Sequence, residues 1–260
     1  MAAGVILALA VSMAARQARA LTTSGALAAA LIGSIAVAAG WDWGALLVVY
    51  FLTSTALSRL GSERKARRTA SIVEKGAARD AIQVFVNGGA FAAAAAGSLL
   101  MPSPLWRAAG AGALAAATAD TWATEIGTWL GGTPRSAWNW RRVPPGTSGG
   151  MTNPGTAAML AGAMITAAIV FGLRWGHGAA WGALVGGISG ALGDTVIGAT
   201  LQERRRCMGC GEYTERILHS CGSRTRLARG IPGLNNDAVN LVASLIGSGI
   251  AYKLAELVGA

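Results

Sequence analysis

Long apolar runs broken at short polar stations dominate the chain. A helix needs roughly 20 mostly apolar residues to cross a bilayer. On that measure the pattern gives candidate spans at 2–15, 21–40, 43–59, 82–101, 105–131, 155–173, 178–201 and 237–256, the first of them short. The breaks carry their own signals. Trp41-Asp42-Trp43 reads as a tight turn with interfacial tryptophans, and Pro102 and Pro104 part the fourth span from the fifth. Asn153-Pro154 reads as an N-cap followed by proline at the first helical position, and Asn235-Asn236-Asp237 offers caps for the last helix. The prediction is an all-α, polytopic transmembrane helix bundle of about 7–8 spans, forming one integral membrane domain over residues 1–260.

Composition agrees. Hydrophobic residues make up 53% of the chain and charged residues 13%, against about a quarter charged in a soluble domain. The 37 glycines and the alanine runs suit helices that pack closely through small residues. Residues 1–15 are apolar with no basic segment before them, so a cleaved signal is not expected. The net charge of +10 would suggest nucleic acid as partner to a soluble protein. In a membrane protein it is first a statement of orientation, and no nucleic acid is expected. Of the 22 Lys and Arg, all but Arg107, Arg174 and Lys253 fall at 16–20, 59–81, 132–154 and 202–236. The positive-inside rule places these loops in the cytoplasm, so a multi-pass protein of the cell (inner or plasma) membrane with a cytoplasmic active face is expected. Three of them are longer than mere connection requires.

Two spans end at that face with related words, Ala119-Asp120-Thr121-Trp122-Ala123-Thr124-Glu125 and Gly193-Asp194-Thr195. Carboxylates there are costly, being near the membrane and near helix C-termini whose dipole end is already negative. A cation should offset them, and Mg²⁺ suits a few carboxylates plus phosphates. An internal ion pair with loop arginines, or a proton or cation pathway, are the alternatives.

The opposing helices start at the same face with free N–H groups that favour anions. Thr147-Ser148-Gly149-Gly150-Met151-Thr152 precedes the sixth span, without the Gly-Lys-Ser/Thr of a Walker loop, and reads either as a phosphate cradle or as a flexible loop. Lys75 and Arg79 are spaced for one helical face, which Gln83 and Asn87 continue; the amides are equally readable as helix-packing groups. Asp237 and Asn240 lie one turn apart at the start of the last span. The run Glu63-Arg64-Lys65-Ala66-Arg67-Arg68 reads as a positive-inside anchor on anionic lipid, with no catalytic role. In the cytoplasmic loop 202–236, Cys207, Cys210, His219 and Cys221 are compatible with a structural tetrahedral Zn²⁺. The short spacing of the second pair demands a tight turn, and free thiols are the alternative. A catalytic zinc is not expected, because the loop stands apart in sequence from the acidic helix ends.

Arg79–Gly89, Ala119–Gly127, Thr147–Thr152, Gly193–Gln202 and Asn235–Asn240 together resemble the phytyl-phosphate kinase family, catalogued as domain-of-unknown-function family 92 with its transmembrane-protein-19-like members. The resemblance runs from the second span to the end, and the Cys207–Cys221 insert resembles a form seen in prokaryotic members. It implies a kinase that uses CTP or another NTP to phosphorylate an isoprenyl monophosphate lipid of the phytyl or geranylgeranyl type. Asp120, Glu125 and Asp194 would bind Mg²⁺, joined by Asp237. The Thr147–Thr152 loop would hold phosphates, Lys75 and Arg79 the acceptor or nucleotide phosphate. Gln83, Asn87, Thr121, Thr124, Thr195, Gln202, Asn236 and Asn240 would orient groups around them. A CTP-dependent lipid cytidylyltransferase and a membrane transporter are the rival readings, and a homo-oligomer is compatible with either.

Overall fold

The computed structural model describes residues 2–70, 72 and 78–259. Lys75 therefore lies outside the described residues. The eight expected spans appear as α1 (Ala2–Gln17), α2 (Thr23–Ala39), α3 (Trp41–Arg59), α5 (Ala81–Leu100), α6 (Pro104–Leu130), α7 (Asn153–Gly172), α8 (His177–Thr200) and α9 (Asn236–Val258). Four of these, α5, α7, α8 and α9, are each long and apolar enough to cross a membrane. The helix α4 (Ser62–Thr69) follows α3 at a bend of 71°, and the two together pass as a broken span. α1 and α2 have 16 and 17 residues, short of a full straight crossing.

The long loops are not featureless. β1 (Arg135–Ser136) pairs antiparallel with β2 (Gly150–Met151). In the loop after α8, β3 (Arg204–Cys207) lies between β4 (Tyr213–Thr214) and β5 (Thr225–Arg229), antiparallel to both. Strands of two to five residues leave too little alternation to be read from sequence.

α6 is the axis. Every residue from Ala108 to Ala119 is buried, surrounded by α5, α7, α8 and α9. Only small side chains permit this. A Cβ on Gly112 would fall 2.3 Å from the Gly247 carbonyl oxygen, and one on Gly190 would fall 2.6 Å from that of Ala243. The α6, α8 and α9 backbones touch, which is how helices gain packing energy where lipid removes the hydrophobic drive. Gly112→Val forces α6 and α9 apart and is expected to cost about 1–3 kcal/mol, seen as a lower unfolding midpoint in detergent. Gly89→Ala, at a position with nothing within 4 Å, is the matched control and should leave the midpoint unchanged or higher.

Caps confirm the chain breaks with small corrections. Thr152, not Asn153, caps α7, its hydroxyl accepting from the Gly155 N–H. Trp41 is already helical, with Gly40 at the cap, so the expected turn at Trp41–Trp43 lies one residue earlier. Asp80 and Gln83 form a capping box for α5. The helix thus starts after Arg79, so Arg79 is not on the helical face that carries Gln83 and Asn87. The bundle end opposite the long loops is closed by Trp43, packed on Phe91 and Trp175, with Asp42 accepting from Trp175 Nε1 at 2.7 Å and Arg107 at 3.2 Å.

Candidate active site

Seven helices, α3 to α9, contribute to the lining of a cavity of about 540 Å³ at the long-loop end of the bundle. The α6 end contributes Asp120, Thr121, Thr124 and Glu125, and the α8 end contributes Asp194, Thr195 and, just beyond it, Gln202. Thr147, Ser148, Gly149, Gly150 and Thr152 line it from the loop before α7. Arg79, Gln83 and Asn87 face it from the start of α5, and Asn236, Asp237 and Asn240 from the start of α9. Every described residue singled out for magnesium, phosphate or substrate is on this one surface.

The carboxylates divide into two groups. Asp194 is close enough to Asp120 and to Glu215 to be repelled by both. Asp194 Oδ2 is buried with no hydrogen-bond partner among the described residues, as is Thr147 Oγ1. A buried orphan acceptor beside two like charges has a strong unmet demand for a cation. Glu125 differs. Its Oε1 accepts from Ser58 at 2.6 Å, and its other oxygen is ion-paired to Lys65, only 9% exposed along its side chain. Glu125 is thus already paired with a cation, the Lys65 ammonium.

That cation comes from a segment expected to be only an anchor. On α4, Glu63 and Arg67 point outward while Lys65 turns inward, donating also to the carbonyls of Leu57 (2.7 Å) and Ser58 (3.0 Å). Arg68 donates to the carbonyls of Thr128, Gly131 and Gly132, each at 2.7 Å. It thereby satisfies the negative C-terminal end of α6. The sequence signal was the spacing Lys65/Arg68 on one face and Glu63/Arg67 on the other, visible only once a helix is assumed.

The glycine loop is docked rather than flexible. Gly149 has φ +73°, and a Cβ there would lie 2.3 Å from the Ala199 nitrogen, so no other residue fits against the α8 end. Gln202 donates to Ser148 (2.9 Å) and to Glu215 (3.1 Å), and Ser148 also donates to Glu215.

A model of the integral membrane protein DUF92 family matches residues 6–248. The chain belongs to that family. It is similar to Protein PGR of Arabidopsis thaliana, at 29% identity over 88% of this chain and 87% of that protein. It is also similar to Protein VTE6, chloroplastic, of the same plant, at 27% identity over 92% of this chain and 66% of that longer protein. An uncharacterized membrane protein of Methanocaldococcus jannaschii is 26% identical over 89% and 84% of the two chains. No solved structure matches.

In this DUF92 member the cysteine loop forms part of the cavity wall through Glu215, so it is not remote from the acidic helix ends, as its place in the sequence suggested. Turns at Gly211 and Gly222, both with positive φ, bring the expected ligands together. The Sγ of Cys207 lies 3.4 Å from that of Cys221, and His219 Nδ1 lies 3.4 Å from Cys210 Sγ and 3.2 Å from Cys221 Sγ. All four donor atoms fall within 4.8 Å of one another. The hydrogen bond from His219 holds the Cys221 thiol down to about 6, and the other imidazole nitrogen faces Glu212 at 3.7 Å.

Proposed function

We propose that this protein is a membrane kinase that transfers the terminal phosphoryl group of CTP or another NTP to an isoprenyl monophosphate of the phytyl or geranylgeranyl type. The reading is carried by one cavity in which Asp194, with one buried oxygen lacking a partner among the described residues, and Asp120 face the helix starts and the docked glycine loop. Its similarity to VTE6 and the resemblance to phytyl-phosphate kinases support it. A lipid-phosphate oxygen attacks the terminal phosphorus, the bond from that phosphorus to its bridging oxygen breaks, and the nucleoside diphosphate leaves. The acceptor is already an anion, so positioning and charge neutralisation suffice and no strong base is required.

The chain's residues fit Mg²⁺, with Asp120 and Asp194 as ligands and Asp237 joining from α9. When bound, it supplies charge neutralisation to the nucleotide phosphates. The Thr147–Thr152 loop and the α7 start hold phosphates, Arg79 holds the acceptor phosphate, and Glu125 positions Lys65 at the cavity wall. Thr121, Thr124, Thr195, Gln202, Asn236 and Asn240 orient groups around them. The positive-inside rule, applied to the basic loops, supports a cavity that faces the cytoplasm from the cell membrane.

CTP labelled at the γ or the α phosphorus, given with Mg²⁺ and geranylgeranyl monophosphate in detergent, separates the readings. Label from γ in a lipid diphosphate supports the kinase. Label from α in the lipid means cytidylyl transfer, and no transfer from either returns weight to transport. Trp43, Phe91 and Trp175, all less than 5% exposed, close the far end of the bundle, which favours an enzyme over a two-sided pathway.

The three thiols and one imidazole fit a tetrahedral structural Zn²⁺, with Glu212 orienting the imidazole from behind. This clasp holds Glu215 against Ser148 and Gln202. Purified protein is expected to carry about one zinc per chain by elemental analysis. Cys207→Ala should lose it with helical content unchanged; a zinc-free wild type prepared without chelator contradicts the assignment.

A further inference from the structure

A second cavity, of about 320 Å³, lies between α1, α2, α3 and α5. Its walls are apolar, with Leu7, Val11, Ile32, Val37, Val48 and Phe51 among them. Its origin is in the packing. α1 packs on α2, and α2 on α3 and on α5, so α1 and α2 stand outside the group of helices that encloses α6. These outer helices close only where small residues meet: a Cβ on Gly33 would lie 3.2 Å from Ala8, one on Gly44 2.9 Å from Val37, and one on Gly88 3.2 Å from Ile32. Between the small contacts the larger apolar side chains line an opening.

Arg79, Gln83 and Asn87 line this cavity and the carboxylate cavity alike. They form a polar neck between an apolar chamber and a phosphate-binding one. The neck is held in place. The Arg79 N–H donates to the Ala20 carbonyl, and its own carbonyl accepts from Thr22, both at 3.0 Å, in a parallel bridge with Leu21. Gly25 admits this strap, since a Cβ there would lie 2.1 Å from the Arg79 oxygen. The guanidinium reaches Thr55 at 3.3 Å and Ser58 at 3.5 Å. Ser58 is the residue that donates to Glu125.

We infer that the α1–α2–α3–α5 cavity holds the isoprenyl tail of the acceptor lipid, with its phosphate at the Arg79–Gln83–Asn87 neck. The inference rests on the kinase reading for the identity of the headgroup. Two features of the cavity select this occupant. A permanently charged guanidinium at the mouth of an apolar chamber matches an amphiphile with one anionic end. The neck also opens onto Asp120 and Asp194, so a phosphate seated there stands where transfer must occur. A neutral lipid makes no use of the Arg79 charge, and a phosphate without a tail makes no use of the apolar chamber.

The test uses the full chain in detergent and a geranylgeranyl monophosphate analogue with a diazirine at the tail end, its adducts mapped by peptide mass spectrometry. Adducts are expected on the cavity wall, at positions such as Val11 and Val48, suppressed by unlabelled geranylgeranyl monophosphate and not by dioleoyl phosphatidic acid or inorganic phosphate. Ala45→Trp, which fills the chamber from a lining position, should cut this labelling about tenfold at an unchanged unfolding midpoint. Adducts on the outer faces of α7 to α9 overturn the assignment. So does equal suppression by phosphatidic acid, which marks a general lipid site, and so does full labelling of folded Ala45→Trp. Labelling of the wall without phosphoryl transfer from any nucleotide sinks the kinase reading and leaves the tail site standing.

Discussion

Asp194→Asn is expected to lower phosphoryl transfer by about 10³-fold or more, the scale of losing a principal charge-stabilising group, while the protein becomes harder to unfold in the absence of Mg²⁺. The two effects have one cause. Asp194 stands beside Asp120 and Glu215, with one buried oxygen lacking any hydrogen-bond partner among the described residues. That arrangement is unfavourable to the fold by itself and is retained for the cation it attracts. An asparagine keeps the shape and removes the charge, so repulsion is relieved and the cation is lost. Asp120→Asn should behave alike, and Mg²⁺ with nucleotide should raise the unfolding midpoint of the wild type but of neither variant. Transfer rates and unfolding midpoints measured on the same preparations check this. Wild-type activity in either variant would remove that carboxylate from the proposed site.

Lys65→Met is expected to be the most destabilising of the charge substitutions, at about 3–5 kcal/mol. The Lys65 side chain is 9% exposed and the Glu125 side chain 21%. Removing the ammonium strands Glu125 with a single neutral donor, Ser58, and also leaves the Leu57 and Ser58 carbonyls without theirs. The double variant Lys65→Met/Glu125→Gln removes both charges and should recover most of the loss, because a neutral pair of similar size packs without a buried charge. Unfolding of the four proteins closes a double-mutant cycle. Additive effects would mean that the ion pair does not bind α4 to α6. The cycle also separates the roles of the two kinds of acid: Glu125→Gln should weaken the fold, whereas Asp194→Asn strengthens it.

The bundle was readable because lipid imposes a plain rule. Each span must be long, apolar and capped, and the expected bounds of all eight lie within two residues of the helices. Asp120 and Asp194 were readable for the same reason, as acids are costly in apolar helices. Lys65 and Arg68 were not, since a basic run beside a membrane already has a sufficient explanation in the lipid surface. Only the eight-residue α4 and its 71° bend turn one face of the run toward α6. Glu215 was hidden in a basic loop, and its place depends on how the cysteine clasp folds that loop against Ser148 and Gln202. Arg79 was found for its charge, but its site is set by the strap to Ala20 and Thr22 rather than by helical spacing. The apolar cavity between α1, α2, α3 and α5 left no local signal, because it arises from how four separate helices pack.

The most direct test of the central claim, that Asp120 and Asp194 hold a divalent metal with the nucleotide, is pulsed electron paramagnetic resonance with Mn²⁺ in place of Mg²⁺. Wild-type protein with CTP is expected to show bound Mn²⁺ coupled to nucleotide phosphorus, and Asp120→Asn and Asp194→Asn to show neither. Phosphorus-coupled Mn²⁺ of undiminished affinity in both folded variants would contradict the account.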